Sequence, residues 1–275
     1  MIELITRPVK RLFTFGCSFT GFRYPTWAEI LAYDLGNVEF YNYGRRGAGN
    51  QYIFNMIMQA DQVFKFDNDD LVIVEWTNFA REDRYCNNRW YTPGNIYTQS
   101  TYDAEFVKKW ADYRGYMLRD MASIKAVSDI LRNKKLQYHF LSMSSVRLDN
   151  QWCDDELNEP DISGLYSEYL TEILPSFYDV LWDGSMKTCM GTERTKYGKF
   201  VNGHPTISEH LTFLAKTFVY DFSESTLGVV GVNNARYETQ MMAAVTASTL
   251  DPQYFYRDMN FEDLFFTKSD QIITL

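Results

Sequence analysis

The run "DDLVIVEWTN", residues 69–78, narrows the fold more than any other stretch of this chain. From Leu71 to Trp76 only Glu75 is not apolar, and there is no in–out alternation. A strand apolar on both faces has to be covered on both faces, which is the condition of a parallel sheet clad by helices. Three further stretches read as strands: "KRLFTFG" (10–16), "VEFYNYG" (38–44) and "LQYHFLSMS" (136–144).

Between these strands the apolar period changes from two to about 3.6. "YPTWAEILAYDLG" (24–36) predicts a helix with Pro25 near its start, Trp27, Ile30, Leu31 and Leu35 on one face, and Gly36 at its stop. "GNQYIFNMIMQADQVFK" (49–65) predicts a second and "YRGYMLRDMASIKAVSDILRNKK" (113–135) a third. "TISEHLTFLAKTFVYDF" (206–222) predicts a strong helix capped by Thr206 or Ser208. Residues 81–112 are polar and aromatic and read as a long surface excursion. Within 149–200, a short helix is expected at 163–174 and a strand at "FYDVLW" (177–182). The last fifty residues hold one predicted helix, "ARYETQMMAAVTAS" (235–248), and an acidic aromatic tail.

Strand and helix alternating in this way predict a three-layer α/β/α sandwich, flavodoxin-like, with a parallel sheet of about five strands. The expected division is a body at residues 1–222 and a C-terminal extension at 223–275, serving as a lid or an oligomer arm. The 275 residues and 45% hydrophobic content are enough for a full core. The net charge is −9 with scattered basic residues, so nucleic acid is not an expected partner. Cys17, Cys86, Cys153 and Cys189 are widely spaced, and neither a zinc site nor a disulfide framework is expected. No signal-peptide pattern opens the chain and no apolar run is long enough to span a bilayer, so a soluble cytoplasmic protein without membrane partners is expected.

In open parallel sheets the working site lies beyond the carboxyl ends of the strands. Ser18 follows the first strand, Gly44–Gly49 the second, and Thr77 and Asn78 the third, so all three converge on one edge. A serine hydroxyl becomes a nucleophile only beside a base, and the chain has three histidines. His139 lies mid-strand and reads as a core residue; His210 falls inside the last body helix. His204, in "NGHPTISEH", precedes that helix on a loop that can return over the sheet edge. Backbone N–H groups of "NYGRRGAGN" (42–50), the Asn78 amide and the Ser18 N–H are candidate donors to an oxyanion. The rival reading of "GRRGAGN" is a phosphate cradle with Arg45 and Arg46, but it lacks the Gly-Lys-Ser/Thr ending of a P-loop.

Serine, glycine, asparagine and histidine in this order resemble the SGNH, or GDSL-like, hydrolases, from about residue 10 to about residue 220. Gly16-Cys17-Ser18 stands where the family has Gly-Asp-Ser, and Gly-Cys-Ser-Phe is similar to a variant of phage and bacterial members. Asn42, Gly44 and Gly47 match the glycine block, Trp76-Thr77-Asn78-Phe79 partly matches the asparagine block, and "VNGHP" stands for the closing Asp-x-x-His block. The resemblance implies a serine esterase acting through an acyl-enzyme without metal or cofactor. Ser18 would be the nucleophile, His204 the base, and Ser18, Gly47 and Asn78 the oxyanion donors. It allows small carboxylic esters, among them O-acetyl groups on carbohydrate, as substrates. Trp76 and Arg81 are candidate substrate-binding residues, and Tyr85, Trp90, Tyr91 and Tyr97 candidate sugar-stacking rings.

One departure stands out. Val201, not Asp, lies three before His204, and Asn202 lies two before it. The imidazole is then oriented by Asn202 or a backbone carbonyl, or by an acid from elsewhere such as Asp183 or Glu209, or the chain is a catalytically degenerate, phage-encoded binding or structural module of the same fold. A homo-oligomer is compatible with either reading.

Overall fold

A computed structural model describes residues 1–98, 102–146, 162–198, 202–247 and 264. The main sheet has four parallel strands in the order β3-β2-β4-β7, formed by β2 (Arg11–Gly16), β3 (Glu39–Gly44), β4 (Asp70–Trp76) and β7 (Gln137–Ser142). A second parallel pair joins β1 (Ile2–Glu3) to β8 (Phe218–Val219). The expectation of about five strands is met by four in the main sheet among the described residues. At the outer edge of β7, Ile173 contributes only a single parallel bridge to Phe140.

The sheet is built from its centre. All seven residues of β4 are buried, and Leu71, Val72, Ile73 and Val74 have no exposed surface. Truncating one such side chain to alanine costs roughly 2–5 kcal/mol. Parallel register sets Phe13 beside Tyr41 and Phe15 beside Tyr43. The rings stack with centroids 4.8 and 5.0 Å apart, which ties β2 to β3.

Chain direction then fixes the layers. From β2, helix α1 (Trp27–Leu35) leads to β3 on one side, and α2 (Asn50–Phe64) returns across β2 to β4 on the other. Right-handed crossovers in opposite directions place α1 and α2 on opposite faces. Helix α4 (Tyr113–Asn133) continues in the direction of α2 and packs beside it, while α9 (Ile207–Thr217) packs beside α1. The chain therefore reverses at β2, and the switch point lies just past Gly16.

Several boundaries follow local signals. Thr26 and Glu29 form a reciprocal capping box on α1, and Gly36 closes that helix at φ 71°. Thr206 caps α9 with Glu209 in the same way. The stretch "FYDVLW", expected as a strand, is instead helix α7 (Phe177–Trp182). Ser176 and Asp179 cap it reciprocally, and Phe177 and Trp182 are buried. The short helix expected at 163–174 is two single turns, α5 (Ile162–Leu165) and α6 (Ser167–Leu170). The surface excursion carries a hairpin, β5 (Arg84–Cys86) with β6 (Arg89–Tyr91), and helix α3 (Ala104–Trp110).

Helix α8 (Met186–Tyr197) precedes the His204 loop, and α10 (Glu224–Ala247) packs along α9 and α1. Tyr237 of α10 is buried against Tyr24, ring centroids 4.7 Å apart. The acidic tail, apart from Leu264, lies outside the described residues. Among those described, no helix is long and apolar enough to cross a membrane.

Candidate active site

Past the end of β2 the chain folds into a tight turn, with the N–H groups of Thr20 and Gly21 both donating to the Cys17 carbonyl. Ser18 sits in this turn, 8% exposed. Its Oγ lies 2.8 Å from His204 Nε2, although the two residues are 186 positions apart. That is hydrogen-bond reach for a nucleophile and its base.

The imidazole is fixed from three sides. Phe22 stacks on it at 4.2 Å between centroids with planes 17° apart, and Phe19 lies 5.4 Å away at a tilt of 57°. Nδ1 lies 2.6 Å from Asn202 Oδ1 and 3.0 Å from the Asn202 carbonyl. Both of those groups are acceptors, so Nδ1 carries the proton and Nε2 turns its lone pair to Ser18. Asn202 Oδ1 also accepts the His204 backbone N–H at 2.8 Å, which leaves its amide nitrogen to donate to Tyr237 Oη at 3.3 Å. Burial pulls the His204 pKa down to about 4; the bond to the Asn202 carbonyl opposes this, and the positive charges of Arg46 and Arg81 add to it.

The two acids considered as orienters stand elsewhere. Glu209 accepts the Thr206 N–H in the α9 cap and the Trp182 indole N–H. Asp183 ends α7 in a left-handed conformation, φ 51°. An amide oxygen and a main-chain carbonyl occupy the position behind the imidazole.

The glycine loop is bound to the Ser18 turn. Arg45 N–H donates to the Gly16 carbonyl at 3.0 Å, and Asn42 Nδ2 donates to the Thr20 carbonyl at 3.0 Å. Gly21 and Gly44 meet backbone to backbone: a Cβ on Gly21 would lie 2.4 Å from the Gly44 carbonyl oxygen. Gly47 adopts φ 73°, and a Cβ there would lie 2.2 Å from the Thr92 carbonyl oxygen. Asn78 Oδ1 accepts the Ala80 N–H at 2.7 Å, which fixes the direction of its amide.

Two substrate-binding expectations need correction. Trp76 has no exposed surface; its indole packs edge-on to Phe140 inside the sheet and offers nothing to a substrate. Arg81 is 9% exposed, and its guanidinium donates to the Ala48 carbonyl and faces Met143 Sδ. It joins the glycine loop to the β7 end from within, and its charge reaches His204.

Sequence reasoning passed over three participants. Phe22 supplies the stacked ring. Asn50, fully buried, accepts the Thr77 N–H and donates to the Thr77 carbonyl and to Asp120, which fixes the segment before Asn78. Glu75 accepts from Cys17 N–H at 3.1 Å, Cys17 Sγ at 3.3 Å and Thr20 Oγ1 at 2.6 Å. Burial raises its pKa to about 7, against those hydrogen bonds. The one polar residue between Leu71 and Trp76 was the signal for Glu75.

No family model matches the chain and no curated protein does. Among solved structures it is similar to a lipolytic protein of the G-D-S-L family from Veillonella parvula, at 15% identity and TM-score 0.38, covering 76% of this chain and 96% of that one. It is also similar to a G-D-S-L family lipolytic protein from Desulfitobacterium hafniense, at 14% identity and TM-score 0.37, with 83% and 99% covered. A third is an acetyl xylan esterase from Geobacillus stearothermophilus, at 11% identity and TM-score 0.36, with 80% and 99% covered. At these values the likenesses carry no weight for what the site does.

Proposed function

We propose that the protein hydrolyses small carboxylic esters through an acyl-enzyme on Ser18. The observation that carries this reading is the 2.8 Å contact between Ser18 Oγ and His204 Nε2, with Nδ1 held by Asn202 so that Nε2 is the basic nitrogen.

Ser18 Oγ attacks the acyl carbonyl while His204 Nε2 takes its proton. The imidazolium that forms is stabilised by its Nδ1–H bond to the Asn202 oxygens. It then gives the proton to the departing alkoxide oxygen as the ester C–O bond breaks. Water, deprotonated by His204, attacks the acyl-enzyme and returns Ser18. Base assistance of this kind contributes typically 10²–10⁴-fold. The N–H groups of Ser18 and Gly47 and the Asn78 amide are assigned to the developing oxyanion, where one donor is worth about 10²–10³-fold.

Ser18 is only 8% exposed, and a buried nucleophile favours a small acyl group such as acetyl. The aromatic hairpin favours carbohydrate as the alcohol. It is bonded to the glycine loop through Arg45 to the Trp90 carbonyl at 2.7 Å and Thr92 to the Arg46 carbonyl at 2.9 Å. Tyr85 on it is 60% exposed.

The test is hydrolysis of p-nitrophenyl acetate by the wild type and Ser18→Ala, with release of acetate from acetylated xylo-oligosaccharide as the second assay. Turnover that falls at least about 10³-fold in Ser18→Ala supports the reading. Wild-type turnover no faster than that of Ser18→Ala overturns it and favours a binding module.

A further inference from the structure

We propose that Glu193, on α8, is a positioning residue for the reaction, acting on His204 through the loop that carries it. The inference rests on the reading of Ser18 and His204 as nucleophile and base. Glu193 Oε2 accepts the Asn202 N–H at 2.9 Å and Oε1 accepts the Gly203 N–H at 3.1 Å. Two successive N–H groups leading into a residue at positive φ (Gly203, 64°) form a concave anion-binding nest, and the carboxylate occupies it. Hydrogen bonds to an ionised acceptor are about twice as strong as neutral ones.

The clamp falls on the residue that orients the base. Asn202 presents both its carbonyl and its Oδ1 to His204 Nδ1, so fixing the Asn202 backbone fixes both acceptors at once. On the far side of His204, the Pro205 carbonyl accepts from Tyr24 Oη at 3.0 Å. The imidazole is thus suspended between two anchors, one anionic and one phenolic. The negative charge that a triad would place against the imidazole is here one peptide removed and bonded to backbone N–H groups. Glu193 therefore sets where Nε2 sits, and a displacement of about 1 Å from the reacting geometry costs on the order of 10²-fold in rate.

A cavity of ≈ 200 Å³ borders both Glu193 and His204. It leaves room for a small carboxylate to take the place of a deleted side chain, which gives a readout that general loosening of the fold does not share.

The experiment measures p-nitrophenyl acetate kinetics of wild type, Glu193→Ala and Glu193→Gln, each with and without formate, and thermal melting of all three. Glu193→Ala is expected to lose ~10²-fold in kcat, with KM within about threefold and partial recovery of kcat in formate. Glu193→Gln, which keeps one acceptor oxygen and the shape, is expected to lose about tenfold and to gain nothing from formate. It also serves as the test if the alanine variant does not fold. If the wild type is active and both variants keep its kcat, or if kcat falls only in step with melting temperature and formate restores nothing, the inference about Glu193 is overturned while the esterase reading stands. A wild type without turnover ends the esterase reading and this inference with it.

Discussion

Asn202 and His204 form a closed local unit: one amide oxygen accepts both the backbone N–H and the Nδ1–H of the histidine two residues later. The same amide's nitrogen reaches Tyr237 on α10. The tautomer of His204 is therefore written into a three-residue loop, and the orientation of its ring is tied to the C-terminal helix.

The first consequence concerns Asn202 itself. Asn202→Ala leaves the main-chain carbonyl as the acceptor for Nδ1 and is expected to lower kcat on the order of 10²-fold, with KM little changed. Asn202→Asp puts a carboxylate behind the imidazole and is expected to move the acid limb of the kcat/KM profile upward, because a negative charge favours imidazolium. Steady-state kinetics across pH check both; an unmoved acid limb in Asn202→Asp counts against His204 as the group that sets that limb.

The wild-type pH profile follows from the same nitrogen. In the proposed reaction His204 must be neutral to act, and burial holds it at about 4. kcat/KM is expected to stay level from neutral pH down to about pH 5 and to fall as pH drops through about 4. An acid limb near the ordinary histidine value of about 6.5 would contradict the buried setting.

Glu75 offers a separate stability test. Its folded pKa of about 7 exceeds the ordinary 4.5, so between those values the folded chain holds a proton that the unfolded chain has released. That stabilisation is present at low pH and is lost as pH rises through about 7. Glu75→Gln mimics the protonated acid: its oxygen accepts from Cys17 and Thr20, and its NH₂ faces Cys17 Sγ. Denaturant titrations from pH 4 to 8 are expected to show the variant gaining on the wild type across that window. A flat difference would mean that burial does not raise the pKa of Glu75 above its unfolded value.

Gly47→Ala forces a side chain into the left-handed region at φ 73° and sets its Cβ against the Thr92 carbonyl. The conformation alone costs about 1–2 kcal/mol, and the clash adds to it. A melting temperature lower by roughly 5 °C or more, together with loss of turnover, is the expected result. Full turnover in this variant would remove Gly47 from the oxyanion donors.

The sheet and the Ser18–His204 pair were legible because both depend on sequence-local signals: an apolar run covered on two faces, glycines where backbones touch, and a histidine just before a capped helix. "FYDVLW" was misread because six residues, apolar but for Asp179, show no period long enough to separate strand from helix. The Ser-x-x-Asp cap at Ser176 and Asp179 was the signal that decides it. Trp76 was misassigned because an aromatic at a strand end looks the same in sequence whether it points into the core or out of it. Glu193 was out of reach, since its partners are two backbone N–H groups on a later loop and backbone donors leave no trace in residue identity.

The most direct measurement is intact-mass and peptide analysis after treatment with a fluorophosphonate, which phosphonylates only an activated serine. The wild type is expected to gain a single adduct, located on Ser18, and His204→Ala to react at least about 10²-fold more slowly. No adduct on the wild type, or one whose rate is indifferent to His204, would contradict a hydroxyl activated by that imidazole.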